Sequence, residues 1–248
     1  MTEIIDWAKL KKQNSNFKFE INKHFFLSKL EVSRKDGYKK QLHVMLPEGD
    51  ETFIGTLAGL CKYEFNFFDL NIEDGNNIID LGCNYGLISI VCAALYPNCT
   101  VHSFDPCVRA LETLRLNCFI NNIQNIKFYN TAVTASEDVT LKFSSNLSQG
   151  ESCFIESDLN DESHEEIGEF KNTHIKNVLN NINNISYLKV DVEGSEYGIF
   201  NYLFEHNRDF SKNIKRVHIE VHGEKTQREQ LIKKLKTHFP SEENVIVS

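Results

Sequence analysis

The chain has 248 residues, a formal charge of −8, 41% hydrophobic and 25% charged residues, the profile of an ordinary globular protein with room for a sizeable core. No apolar run approaches the roughly 18 residues that a membrane span requires. The acidic balance argues against a nucleic-acid surface, whose affinity comes from phosphate neutralisation, and the acidic opening Met1–Asp6 is unlike a secretory signal, so a cytoplasmic protein is expected.

From the N-terminus, residues 1–16 read as a short polar helix and loop. Phe17–Ile21 and Gln41–Met45 alternate apolar and polar side chains as half-buried strands do, with a turn signal at Lys35-Asp-Gly-Tyr38 between them. Residues 51–70 read as a helix. Residues 1–60 are therefore expected to form a helical and β-rich cap that selects substrate, and residues 61–248 the main domain.

From residue 77 the pattern becomes strand, turn and helix in repetition. Strands are expected at Asn77–Leu81, Thr100–Phe104 and Ile126–Tyr129, with helices at Tyr85–Leu95 and Cys107–Asn121. After Val133 a hairpin of Val139–Phe143 and Ser152–Ile155 interrupts the order. The acidic stretch Glu156–Glu169 reads as a solvated excursion. The alternation resumes with strand Tyr187–Asp191, helix Ser195–Glu205, strand Arg216–Val221, helix Thr226–Thr237 and strand Asn244–Val247. Strands alternating with helices predict an α/β fold, a mostly parallel sheet covered on both faces. The seven cysteines form no C-x-x-C pair and read as reduced, mostly buried thiols.

The segment Asp80-Leu-Gly-Cys-Asn-Tyr-Gly86 lies at a strand-to-helix turn. Gly82 can take backbone angles closed to other residues, and Gly86 admits a close neighbour, ligand or helix. The helix N-terminus beyond supplies amide donors and a positive dipole end. Asp80 suits a ligand ammonium. Asp105-Pro106 ends the next strand, where such folds place an acid on ribose hydroxyls. The two glycines are spaced G-x-x-x-G. A nicotinamide enzyme, the alternative, would carry G-x-G-x-x-G to seat a pyrophosphate. The set Asp80, Gly82, Cys83, Asn84, Gly86, Asp105 and Pro106 thus reads as a site for a nucleoside with an amino-acid tail, such as S-adenosyl-L-methionine.

These residues bring a family into view. With Tyr63-Glu64 upstream, Asn117 and Asn121 on the following helix, and Tyr187-Leu-Lys-Val-Asp-Val-Glu-Gly-Ser-Glu196, the chain resembles the FkbM family of S-adenosylmethionine-dependent methyltransferases. Arg216-Val-His-Ile-Glu-Val-His222 is similar to its next core strand. The likeness runs from about Tyr63 to His222. It implies the class I, Rossmann-like fold, a β-rich N-terminal extension, and methyl transfer to a hydroxyl of a small molecule, sugar or glycan. It also brings Glu64, Ala132 and Asp191 into the expected cofactor-binding set. Cys83 stands where the family often has alanine, and Asp105 where it often has glutamate.

Ligands of open α/β sheets sit beyond the carboxyl ends of the strands. Lys189, Asp191, Glu193, Glu220 and His222 all fall there and form the candidate catalytic set. His222 is the expected base, because imidazole titrates near neutral pH, with Asp191 as rival. Lys189 reads equally as a salt bridge closing the strand end. Glu196 reads as a favourable charge at a helix N-terminus. Asp191, Glu193, Glu220 and His222 could ligate a divalent metal, but the spacing does not demand one, and the expected site holds none. A non-catalytic cofactor-binding module is the remaining alternative, and nothing in the chain sets the oligomeric state.

Overall fold

The computed structural model describes residues 25–47, 72–136, 141–143, 154–156 and 171–248. Among them the apolar runs between turns become one sheet. It is built from β3 (Asn77–Leu81), β4 (Thr100–Phe104), β5 (Ile126–Tyr129), β10 (Ile185–Val190), β11 (Val217–Ile219) and β12 (Val245–Val247). Every neighbouring pair is parallel, and the spatial order is β12-β11-β10-β3-β4-β5. The chain therefore reverses its direction of travel across the sheet between β3 and β10. That reversal opens a crevice at the carboxyl ends of β3, β4 and β10, where such sheets bind ligands.

Alternation along each strand divides the core in two. Ile78, Val101 and Tyr187 face a cluster with α1 (Leu87–Leu95) and α2 (Val108–Ile120). Their neighbours Ile79, Leu188 and Val190 face a second cluster, with α3 (Ile175–Asn181), α4 (Glu196–His206), α5 (Phe210–Asn213) and α6 (Lys225–Lys236). Helix α1 is buried along its whole length, which suits its nearly continuous apolar sequence. Its one polar side chain, Ser89, donates to Asp80 at 2.6 Å and shares a 2.7 Å hydrogen bond with Ser103.

An antiparallel hairpin of β1 (Phe25–Ser33) and β2 (Lys39–Pro47) precedes the sheet, turning at the expected Lys35–Tyr38 signal. Val32, Leu42 and Val44 enter the same core as α1 and α2. The first partner strand is thus Phe25–Ser33, and the expected strand Phe17–Ile21 lies outside the described residues. So do the helices expected in 1–16 and 51–70, most of the acidic stretch, Cys61 and Cys153. The expected hairpin after Val133 is present as β7 (Leu141–Phe143) paired with β8 (Phe154–Glu156). A parallel pair, β6 (Ala132–Thr134) with β9 (Asn172–His174), was not expected, because three-residue strands carry too little alternation to read.

Two asparagines one helical turn apart hold the hairpin to α2. Asn117 accepts from the Met45 backbone N–H at 2.7 Å and donates to the Met45 carbonyl at 3.0 Å. Asn121 makes the same pair with His43, at 2.7 and 2.6 Å. Each carboxamide satisfies one donor and one acceptor of an otherwise open strand edge. Asn117→Ala strands both polar groups of Met45, a residue with no exposed surface. Urea unfolding should show a loss of about 2 kcal/mol. An unchanged midpoint would mean that the clamp contributes nothing.

Candidate functional site

The site begins with a steric demand. Gly82 has φ +72°, and a Cβ built on it would lie 1.7 Å from the carbonyl oxygen of Asp191. Only glycine lets the turn after β3 pass so close to the end of β10. Gly86, at φ +77°, would place a Cβ 2.1 Å from Leu114, so its open side admits α2. The amides of Gly82 and Cys83 both donate to the Phe104 carbonyl at 3.0 Å, which locks the turn to β4. Asn84 sits in the left-handed region at φ 48°, and Cys83 is buried beneath the turn.

Asp105 is the second anchor. One oxygen accepts from the Asn84 amide and the other from the Cys107 amide, both at 2.8 Å. The carboxylate therefore ties the glycine turn to the start of α2. Burial raises its pKa to about 6, against these two amides, so at neutral pH it is ionised. Pro106 is buried, and its carbonyl and that of Asp105 accept from Asn130 at 2.8 and 3.2 Å. Asn130 carried no sequence signal. Ala132 opens β6 and is buried. Glu64 lies outside the described residues.

Asp80 is not at the surface. It is 1% exposed, accepts from Ser89, and faces the Lys189 ammonium at 3.4 Å. No oxygen of Asp80 is open to solvent, and the cation it faces is the Lys189 ammonium. Lys189 is buried as well. Its ammonium donates to the Gly82 carbonyl and to Asp191, both at 3.1 Å. Burial works against its charge, but Asp191 and Asp80 more than offset this and hold its pKa above the ordinary lysine value. Lys189 therefore joins the glycine turn, β3 and the end of β10, as the salt-bridge reading required.

Asp191, Glu193, Glu220 and His222 converge on the rim. The His222 Nε2 lies 3.3 Å from Glu193 and 3.8 Å from Glu220. Glu193 takes the left-handed conformation, φ 49°, a costly choice for a non-glycine residue. Burial raises its pKa to about 7, although His222 opposes the shift. Burial also raises Glu220, with Asp191 adding to the shift. Asp191, Glu193 and His222 each present one ligand atom within 4.8 Å of the others. A cation there would compete with bonds already made, those of Asp191 to Lys189 and of His222 to two carboxylates.

Glu196 has a larger part than a helix-terminal charge. With no exposed surface, it accepts from the His222 backbone amide at 2.7 Å, the His222 Nδ1 at 3.2 Å and the Gly194 amide at 2.7 Å. Burial alone would raise the Glu196 carboxyl, but the His222 side chain and amide hold it below the ordinary range. The same hydrogen bond, assisted by Glu193, lifts His222 to about 9 against its own burial. His222 is thus an imidazolium at neutral pH, which removes the ground for expecting it to act alone as base. His102, inside β4, lies away from the rim: Tyr129 and Asn77 each hold one ring nitrogen at 2.9 Å.

Replacing Lys189 with methionine leaves the buried Asp80 without its cation. Denaturant unfolding of Lys189→Met should show a loss of about 3 kcal/mol, the scale for breaking a buried ion pair. A variant as stable as the parent would refute the bridging role.

The chain spans 65% of an uncharacterized protein, YbxB, of Bacillus subtilis, to which it is 27% identical over 134 residues, 51% of its own length. It spans 64% of methyltransferase 1 of Beauveria bassiana, at 22% identity over 158 residues, 57% of its own length. A solved methyltransferase FkbM from Methylobacillus flagellatus aligns with 72% of this chain and 42% of its own, at 17% identity and a TM-score of 0.36. The methyltransferase FkbM domain matches residues 80–244, more than half of the chain, from the acid that opens the glycine turn to beyond the acidic rim. The protein belongs to the FkbM methyltransferase family.

Proposed function

We propose that this methyltransferase uses S-adenosyl-L-methionine and methylates a hydroxyl of a small molecule, sugar or glycan. The observation that carries this reading is the junction of Gly82, Lys189 and Asp191. It sets the crossover of the sheet directly beside a rim of proton-handling groups.

The residues fit such a cofactor. Each Asp105 oxygen accepts one amide and keeps a second lone pair for a ribose hydroxyl. Asp191, partly exposed at the rim, is the acid placed to take the ammonium, and Asp80 serves it from below through Lys189. When bound, the cofactor supplies an electrophilic methyl group on a sulfonium, already a good leaving group. The protein's task is then to align the acceptor and take its proton. Glu193, paired with the His222 cation, is the acceptor of that proton. His222 keeps Glu193 anionic against the neighbouring carboxylates and, through Nε2–H, holds it in position to receive the proton. No metal is assigned to the rim, because Asp191 is already bound to Lys189 and His222 to Glu193 and Glu196.

Thermal shift gives the first test. S-adenosylhomocysteine should raise the melting temperature and NAD should not, since a ligand specific for the folded state stabilises it. Incubation with labelled cofactor and a cell extract, followed by mass analysis, then identifies what gains a methyl group. Binding without any transfer would leave a non-catalytic module, and stabilisation by NAD alone would return the nicotinamide reading.

The pH profile is the second test. Below about pH 7 Glu193 is protonated and cannot accept, and above about pH 9 His222 loses its charge. Turnover should therefore follow a bell whose two limbs belong to the coupled pair. His222→Ala should collapse the alkaline limb and slow transfer, with cofactor affinity unchanged. Chelators should leave the rate unaltered. A profile flat from pH 6 to 10 would sink the assignment of the pair.

A further inference from the structure

We propose that Glu196 is a positioning residue that assembles the reactive rim: it fixes the His222 ring with Nδ1 inward and Nε2 outward, and holds the Glu193 turn through Gly194. The inference rests on the methyl-transfer reading of the same site.

The geometry is unusual for a carboxylate at the start of a helix. A first-turn glutamate normally serves its own helix from the solvent side. Glu196 has no exposed surface and binds three donors on two separate segments. Oε1 takes both the backbone amide and the ring Nδ1 of His222, at 2.7 and 3.2 Å. Oε2 takes the Gly194 amide at 2.7 Å. One carboxylate therefore settles two things. It selects the ring orientation in which Nδ1–H points into the protein, leaving Nε2 3.3 Å from Glu193. It also pins the residue that follows Glu193, whose left-handed backbone needs outside support.

The other groups facing His222 do not share this function. Glu193 and Glu220 approach only Nε2, at 3.3 and 3.8 Å, and Asp191 acts on the ring by its charge. Tyr197 donates to the His222 carbonyl at 2.6 Å, which holds the backbone but not the ring. A histidine that works through one nitrogen commonly has the other held by a carboxylate or carbonyl, which fixes the tautomer and the aim of the ring. Glu196 supplies that hold, with a single turn of chain between it and the Glu193 it also steadies.

The test uses the full chain and needs no acceptor. Glu196→Met keeps the length of the side chain but offers no oxygen to His222 or to Gly194. In the parent, nitrogen-15 spectra of ring-labelled histidine should show a protected His222 Nδ1–H, identified by its absence in His222→Ala. In Glu196→Met that signal should vanish, while calorimetry gives an S-adenosylhomocysteine dissociation constant within about twofold of the parent, since Glu196 bonds neither the glycine turn nor Asp105. Glu196→Asp, which keeps the charge on a shorter arm, should restore part of the signal, and it serves as the working variant if the methionine form does not fold. An unchanged His222 signal in Glu196→Met overturns the proposal. So does loss of S-adenosylhomocysteine binding in step with the signal, which would make Glu196 a general buttress. If the parent itself ignores S-adenosylhomocysteine, the methyl-transfer reading fails first, and the ring signal still reports on Glu196 independently.

Discussion

Everything in the crevice depends on how closely two strand ends approach. The turn after β3 and the backbone of Asp191 after β10 meet where no side chain fits, and the Lys189 ammonium spans the gap. Parallel strands rarely bury a charge unless it is paired. Here the lysine is paired with an acid on each side, and it also fills the hydrogen-bonding need of a glycine carbonyl. The glycine turn and the end of β10, the proposed cofactor and acceptor halves, are thus parts of one electrostatic unit. That unit is rigid because separating its charges in a buried setting is costly.

The rim follows the opposite logic. It gathers more acids than bases: Asp191, Glu193, Glu196 and Glu220 around His222 alone. Burial and mutual repulsion push Glu193 and Glu220 upward, while Glu196, accepting three hydrogen bonds, goes down. Three glutamates within a short distance therefore do different things. Environment assigns the roles, with Glu196 spent on structure and Glu193 left on the edge of ionisation.

Much of this was legible in the chain. The strand–turn–helix rhythm from Asn77 onward, the glycine turn and the acids at strand ends are local patterns, and the structure follows them. Strand Phe25–Ser33 was not expected, because Phe17–Ile21 shows the cleaner alternation of apolar and polar side chains. Two roles could not be read at all. Asp80 carries the right letter for a ligand contact, yet its depth under α1 is decided by packing between distant segments. Glu196 matches a helix-start pattern equally well whether it faces water or His222, 26 residues away. Spacing reports which residues share a face. It does not report which of them run out of solvent.

The asparagine clamp on the hairpin has one more implication. A rise of about 1.5 Å per helical residue carries the i to i+4 step about 6 Å along α2, close to the roughly 6.6 Å spanned by two residues of a strand. A helix bearing carboxamides at that interval can therefore impersonate the next rung of a β-ladder. For β2 this means that its edge away from β1 is covered by a surface that cannot itself propagate a sheet, so two rungs that could recruit another strand are closed without adding one.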